Sequence, residues 1–217
     1  FTRALVPLKI AEAWVKDLQG LSLQNIGVDL YRKGKRLFLG AGDILFTHFG
    51  LSGPLVIDLS ADILYYLKEE TEAKIMIDLL PQMNAQMIDQ KFIDMSGKDG
   101  SLSIGRWMSE LFPKRMAFFL LSQQGIKPEK FFSQITKKER RDIINMLKTF
   151  PLTITGSLAF DYAMATNGGI PVDEINQRTM GSKLVTGLYF AGEIIDGRGP
   201  SGGYNLHQAF ATGALAG

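Results

Sequence analysis

Apolar residues change their spacing several times along the chain, and each change predicts a different element. From Leu21 to Ala41 they alternate: Ile26, Val28 and Leu30 come first, then a Lys33-Gly34-Lys35 turn, then Leu37 and Leu39. Period two on both sides of a glycine turn predicts a β-hairpin. Gly40, Gly42, Gly50 and Gly53 punctuate the apolar segment that follows. Pro54 then predicts a helix start, with Leu55, Leu59 and Ile63 on one face. Alternation returns from Lys74 to Leu80 and stops at Pro81, which predicts a short strand. Between 84 and 149 glycine thins out and helical spacing takes over. Met87, Phe92, Met95, Trp107, Leu111, Met116, Leu120, Ile143, Ile144 and Leu147 predict three to four helices packed as an inserted subdomain. After Pro151 the strand pattern resumes with Leu152, Ile154, Leu158 and Phe160, and Asn167-Gly168-Gly169 marks a turn. Leu184 to Ala191 reads as a buried strand and 202–217 as a helix. Strand–helix–strand order with a helical interruption predicts an α/β fold with insertions rather than a bundle.

Composition removes whole classes of chemistry. The 217 residues are 46% hydrophobic and 21% charged, enough apolar matter for an ordinary core. There is no cysteine. Disulfides, thiolate metal sites, iron–sulfur clusters and thiol nucleophiles are therefore excluded, and any redox chemistry needs an organic cofactor. His48 and His207 are far apart in sequence and no carboxylate–histidine cluster has ligand spacing, so no metal is expected. Net charge is +2, which predicts neither a nucleic-acid partner nor a membrane surface. The longest cationic run, Lys137-Lys138-Glu139-Arg140-Arg141, reads as a solvated helix face. No run approaches the about twenty apolar residues of a membrane span. A cytoplasmic location and a small-molecule partner are expected; oligomeric state is open.

The stretch that carries chemistry is GLYFAGEIIDGRGPSGGYNLHQAFATGALAG, from Gly187 to Gly217. An apolar strand ends in Ala191-Gly192, with Glu193 at its carboxyl end, where open α/β sheets bind ligands. Gly197, Gly199, Gly202 and Gly203 follow, and glycines let a backbone approach a flat or phosphorylated ligand. The helix that starts near Tyr204-Asn205 offers free N–H groups and the positive end of its dipole. Ala209, Gly213 and Ala216 or Gly217 form a small-residue stripe suited to close packing on a sheet. The loop departs from G-x-G-x-x-G, so from the residues alone a ligand-free glycine turn stands beside the ligand-binding reading.

Three blocks in order resemble one family, the BaiN/RdsA-type (YhiN-like) NAD(P)/FAD-dependent oxidoreductases. The first runs from Asp43 to Pro54, DILFTHFGLSGP, and the second is Ala165 to Ile170 with Glu174-Ile175-Asn176. The third is Thr179 to Leu184, Gly187 to Glu193, Asp196 and Gly202 to Leu206; the opening Ala4 to Leu8 also fits. The resemblance implies a partial Rossmann-like FAD domain interrupted by a β-rich substrate domain that carries a helical insert. The implied division is a connector at 1–20, substrate-domain parts at 21–83 and 151–180, the insert at 84–150 and the FAD-domain end at 181–217. It implies a flavoprotein oxidoreductase acting on a small organic substrate, with FAD as cofactor and NAD(P)H an open candidate for hydride donor.

By position, the resemblance assigns FAD to Gly192, Glu193, Asp196, Gly202, Gly203, Tyr204, Asn205 and Leu206. Glu193 would accept from ribityl hydroxyls, and the amides of 203–206 would face the flavin pyrimidine edge. His48 and Asp196 are the candidates for proton transfer. Thr47, His48, Thr166 and Asn167 are candidates for the substrate side. The family's N-terminal glycine-rich fingerprint is absent from these residues, so the chain is expected to be a C-terminal piece, inactive alone. Two competitors remain: a binding piece without cofactor, and a flavin-dependent RNA-modifying enzyme, which the low net charge argues against.

Overall fold

The computed structural model describes residues 1–32, 35–67, 73–98 and 101–217. Its centre is a closed antiparallel barrel of six strands, in the order β2(Leu8–Ile10), β5(Gly50–Ser52), β4(Lys35–Phe46), β3(Ser22–Arg32), β6(Ala73–Asp78) and β7(Phe150–Ser157). The expected hairpin is β3–β4, paired from Ser22↔Leu45 to Arg32↔Lys35 with register shifts between Leu23 and Ile26 and between Val28 and Asp29; its Lys33-Gly34 tip lies outside the described residues. Closure removes the exposed edges that an open sheet would present. Alternation puts Ile26, Val28 and Leu30 into the core together with Ile75, Ile77, Leu152 and Ile154. Leu8–Ile10, in the stretch read as connector, pairs with both β5 and β7 and completes the barrel.

The helix α1(Pro54–Leu67) begins at its proline as the sequence predicts. It lies close on β4 because Gly40 and Gly42 carry no side chain. A Cβ on either would meet Leu55 at 3.2–3.3 Å. On its other side α1 holds a two-stranded sheet of β1(Thr2–Ala4) and β8(Ala165–Asn167) through Ala4, Leu5, Ile57, Ala61 and Ala165. Buried Ser60 accepts from Val6 N–H at 3.2 Å and donates to the Ile57 carbonyl at 2.7 Å.

Four helices stand between β6 and β7: α2(Ala85–Lys98), α3(Ile104–Leu111), α4(Lys114–Gln123) and α5(Lys137–Lys148). The starts of α2, α3 and α5 are capped by local side chains, and α4 starts after Pro113 with no side-chain cap. Asn84 accepts from Met87 N–H, and Ser103 from Arg106 N–H. Thr136 and Glu139 form a reciprocal capping box. Inside, Phe92, Trp107 and Phe132 meet with ring centroids 5.1–5.8 Å apart, and this core is continuous with the barrel's. Lys148 at the end of α5 reaches Asp78 at 2.6 Å and the carbonyls of Leu80 and Met83. No helix among the described residues is long and apolar enough to cross a membrane.

The buried strand expected from Leu184 to Ala191 does not form. Among the described residues the segment makes a single bridge, Gly181↔Tyr189, and Leu184, Val185, Leu188 and Tyr189 are exposed. A strand needs a ladder on at least one side, and here the apolar residues that suggested burial face solvent. The expected terminal helix is present as α6(Tyr204–Ala216).

Candidate functional site

The C-terminal residues converge beside the β1–β8 sheet. The 167–170 turn packs so tightly on 194–196 that a Cβ on Gly169 would sit 2.3 Å from the Ile194 carbonyl oxygen. Ile170 N–H donates to the Ile194 carbonyl at 2.8 Å, and Asp196 N–H donates to the Ile170 carbonyl at 2.9 Å. This parallel contact carries Glu193 to β8. There Glu193 Oε1 accepts from Thr166 N–H at 2.6 Å and from the Thr166 hydroxyl at 3.3 Å. Thr166, Asn167, Glu193 and Asp196 are thus brought together. Gly192 N–H donates to Thr212 Oγ1 at 2.9 Å, which fixes α6 against the short turn at 192–194.

The glycine loop is fastened from an unexpected side. Ser201 N–H donates to Asp58 Oδ1 at 2.6 Å, and the Arg198 guanidinium lies 3.5 Å from both the Asp58 carbonyl and Asp62 Oδ1. Asp58 and Asp62 sit one turn apart on α1. Nothing in the sequence pattern ties them to a loop 140 residues away, and only the fold shows the tether. Asn205 turns its amide back onto the loop, accepting from Gly199 N–H at 2.8 Å and donating to the Gly199 carbonyl at 3.1 Å. Its side chain therefore shapes the loop, and its backbone amide remains on the helix's first turn.

Consecutive left-handed residues, Gly202 (φ 105°) and Gly203 (φ 93°), turn the chain into α6. No side chain caps this helix, so the N–H groups of Tyr204, Asn205 and Leu206, ahead of the first intrahelical bond from His207 to Gly203, have no intrahelical partner and no cap. A Cβ at Gly197 or Gly203 would meet nothing within 4 Å. The loop is therefore open on its Cβ side next to a set of aligned donors and a positive dipole end, which suit an anionic or electron-rich ring edge. Tyr204 and Leu206 are exposed beside it.

Thr47 and His48 belong to a different turn. They sit in the turn between β4 and β5, at the opposite end of β5 from α1. Thr47 closes that turn with Gly50, and exposed His48 packs edge-on against Phe49 with ring centroids 4.9 Å apart. Among the described residues no hydrogen bond joins them to Glu193 or Asp196, and no group of three or more acids and histidines is placed to hold a metal ion. His207 is in the first turn of α6, its N–H donating to the Gly203 carbonyl.

Comparison with known proteins bears on this arrangement. Residues 3–165 match the family described as HI0933-like protein barrel and H2TH domain. The chain is 34% identical over 176 residues to a 3-dehydro-bile acid delta(4,6)-reductase of Clostridium scindens, covering 81% of the chain and 43% of that protein. It is 30% identical over 211 residues to a ribosomal RNA dihydrouridine synthase of Haemophilus influenzae, covering 96% of the chain and 49% of that protein. The Escherichia coli protein of the same name is 29% identical over 212 residues, covering 97% and 50%. The chain thus spans half or less of the length of these relatives.

Proposed function

The chain belongs to the HI0933-like family, and on that footing we propose that the protein carrying it is an FAD-dependent oxidoreductase that hydrogenates a ring carbon–carbon double bond next to a carbonyl. One observation carries the reading: α6 starts uncapped behind Gly203, whose Cβ side is open, and the 192–194 turn that bears Glu193 is bonded to α6 through Thr212. The named activities of the relatives support the reaction class, since both a delta(4,6)-reductase and a dihydrouridine synthase saturate ring double bonds.

When bound, FAD supplies the hydride chemistry, and NAD(P)H is proposed as its reductant. The chain's own part is electrostatic and positional. Amides of Gly203, Tyr204, Asn205 and Leu206 hold the electron-rich edge of the ring system, and the helix dipole favours negative charge there. Glu193 Oε1 is occupied by Thr166, which leaves Oε2 for a ligand hydroxyl. Asp196 is exposed, with no side-chain partner among the described residues, and stands closest in the chain to the loop. It is proposed as the group that delivers a proton to the second carbon. His48, on the β4–β5 turn, is the second candidate for that role.

The test is flavin content. Full-length protein should purify yellow, and Glu193→Ala should lower FAD affinity by about tenfold, the loss expected for a charge-assisted hydrogen bond. Colourless full-length protein that takes up no added FAD would return the chain to the reading of a binding piece without cofactor.

For the substrate, a small organic ring is the first proposal, and RNA is a second that one observation favours. Residues 84–149 carry twelve Lys/Arg against seven Asp/Glu, a net +5, while the remaining residues net −3. The overall +2 is a difference between unlike parts, so it says little about either.

A further inference from the structure

The cationic run at the start of α5 divides in the folded chain. Glu139 and Arg140 turn inward. Lys130 Nζ donates to Glu139 Oε1 at 2.6 Å, and Arg140 Nε lies 2.8 Å from Asp89 Oδ1. Lys137, Lys138 and Arg141 stay exposed. Lys138 begins an outward stripe that continues through Asp142, Asn145 and Thr149, spaced to share one helix face. Arg141 lies one turn before Asn145. The last three residues of that stripe line a cavity of about 460 Å³ between the insert and the barrel rim.

Across the cavity stands Trp14, from the short turn at 13–18. Its ring is held by Phe119 at 4.6 Å and Phe150 at 5.5 Å between centroids, so it offers a fixed aromatic surface. Gln123 and Asn145 bring primary amides with no side-chain hydrogen bond among the described residues, donors and acceptors both free. The two acids in the lining are already engaged. Glu12 accepts from Thr153 N–H, 3.1 Å from each oxygen, and Asp142 Oδ2 lies 3.3 Å from Lys138 Nζ. A fixed indole, free amides, the exposed Arg141 and the solvent-facing Lys138, whose weak surface pair with Asp142 a phosphate can share, match an unstacked base and the phosphates of its strand. A small carboxylate would find no free cation inside the cavity, and a fused apolar ring would leave the amides unpaired.

We propose that this groove binds a single-stranded stretch of RNA, one base seated between Trp14 and the Gln123 and Asn145 amides, with phosphates on Lys138 and Arg141. It rests on the RNA reading of the substrate and adds a contact site remote from the glycine loop. It also gives the Lys137–Arg141 run a use beyond solvation.

The test titrates full-length protein with a labelled single-stranded oligouridylate. Trp107 is buried and Trp14 half-buried, so the part of the tryptophan quenching on binding that disappears in Trp14→Phe reports Trp14. Lys138→Ala with Arg141→Ala should weaken binding about tenfold and flatten the plot of log affinity against log salt by about 1.4, since each phosphate contact on a single strand contributes about 0.7. Gln123→Ala with Asn145→Ala should weaken binding several-fold and leave the salt slope alone. Unchanged affinity and slope in both pairs, or no quenching, overturns the groove while the RNA reading stands. Full-length protein that carries flavin, reduces a small conjugated ketone and binds no oligouridylate removes the RNA reading and the groove with it. All four residues have exposed side chains, so a melting curve matching the parent confirms that each pair folds.

Discussion

The barrel with its helical insert and the segment after Ser157 solve the problem of apolar surface in opposite ways. The barrel and insert share one continuous core, with Phe46, Phe92, Phe132, Leu8 and Ile75 fully enclosed. The later segment has only a small cluster around Ile175, Met180 and Ile195. Its terminal helix buries no side chain completely, and Leu206 and Phe210 are 66% and 76% exposed. A helix of this length draws its stability mainly from packing. The first region is thus stable through its own contacts. The second is joined to the first by the short β1–β8 ladder, the Ala165 contacts and Ser201 to Asp58, and within itself by Glu193 to Thr166 and Gly192 to Thr212. Large exposed apolar patches mark surfaces that bind something, which accords with placing the cofactor on this side.

The sharpest way to break that contrast is to empty each region in turn. Phe132→Ala removes the ring that meets Phe92 and Trp107 and should cost about 3–5 kcal/mol in urea denaturation. Phe210→Ala should change stability by less than about 0.5 kcal/mol. Comparable losses at the two sites would show that α6 is packed after all.

Next in size is Gly169→Ala. The added Cβ would collide with the Ile194 carbonyl, at a cost of about 1–3 kcal/mol borne by the C-terminal segment. Proteolysis should cut faster in 194–203 while barrel unfolding is unmoved; equal protection of that loop in the variant would contradict the contact.

A smaller effect belongs to the insert. The Lys130 ammonium, and then the Thr136 backbone N–H, hold the Glu139 carboxyl down from 4.5 to about 2. A depressed acid contributes stability that is complete above pH 4.5 and is lost as pH falls toward 2. Glu139→Gln keeps a capping side chain but loses the charge. It should cost about 1 kcal/mol at neutral pH and flatten the acid limb of the stability profile between those values. An unaltered acid limb would place that pH dependence on other carboxylates.

The smallest change in global stability should come from Asp58→Ala, under about 0.5 kcal/mol. It frees Ser201 and the glycine loop, and the readout is faster proteolysis at 197–203 and lower flavin content. If both stay as in the parent, the α1 tether does not hold the loop.

Much of the barrel and insert was legible in the sequence because local rules and burial agreed there. Alternation in Ile26, Val28 and Leu30 gave β3, Pro54 opened α1, and the helical spacing of Ile143, Ile144 and Leu147 gave α5. The same reasoning failed at Leu184 to Ala191. An apolar run predicts burial only if something lies against it, and in the structure those side chains meet solvent. The candidate site was half legible. Glycines at 202–203 and an acid at 193 stood out as residue types. Their attachment to Thr166 and to Asp58 did not, since hydrogen bonds across 27 and 143 positions leave no trace in local spacing.

By itself the sequence determined the elements: their period, their caps and the glycines that permit close approach are properties of neighbouring residues. Tertiary structure alone decided the company each element keeps. It joined Leu8–Ile10 into the barrel, tied Glu193 to Thr166, and divided one cationic run into inward Glu139 and Arg140 and exposed Lys137, Lys138 and Arg141. The physical reason is that backbone preference acts over a few residues, whereas barrel closure and charge pairing depend on distances that exist only after the chain has folded.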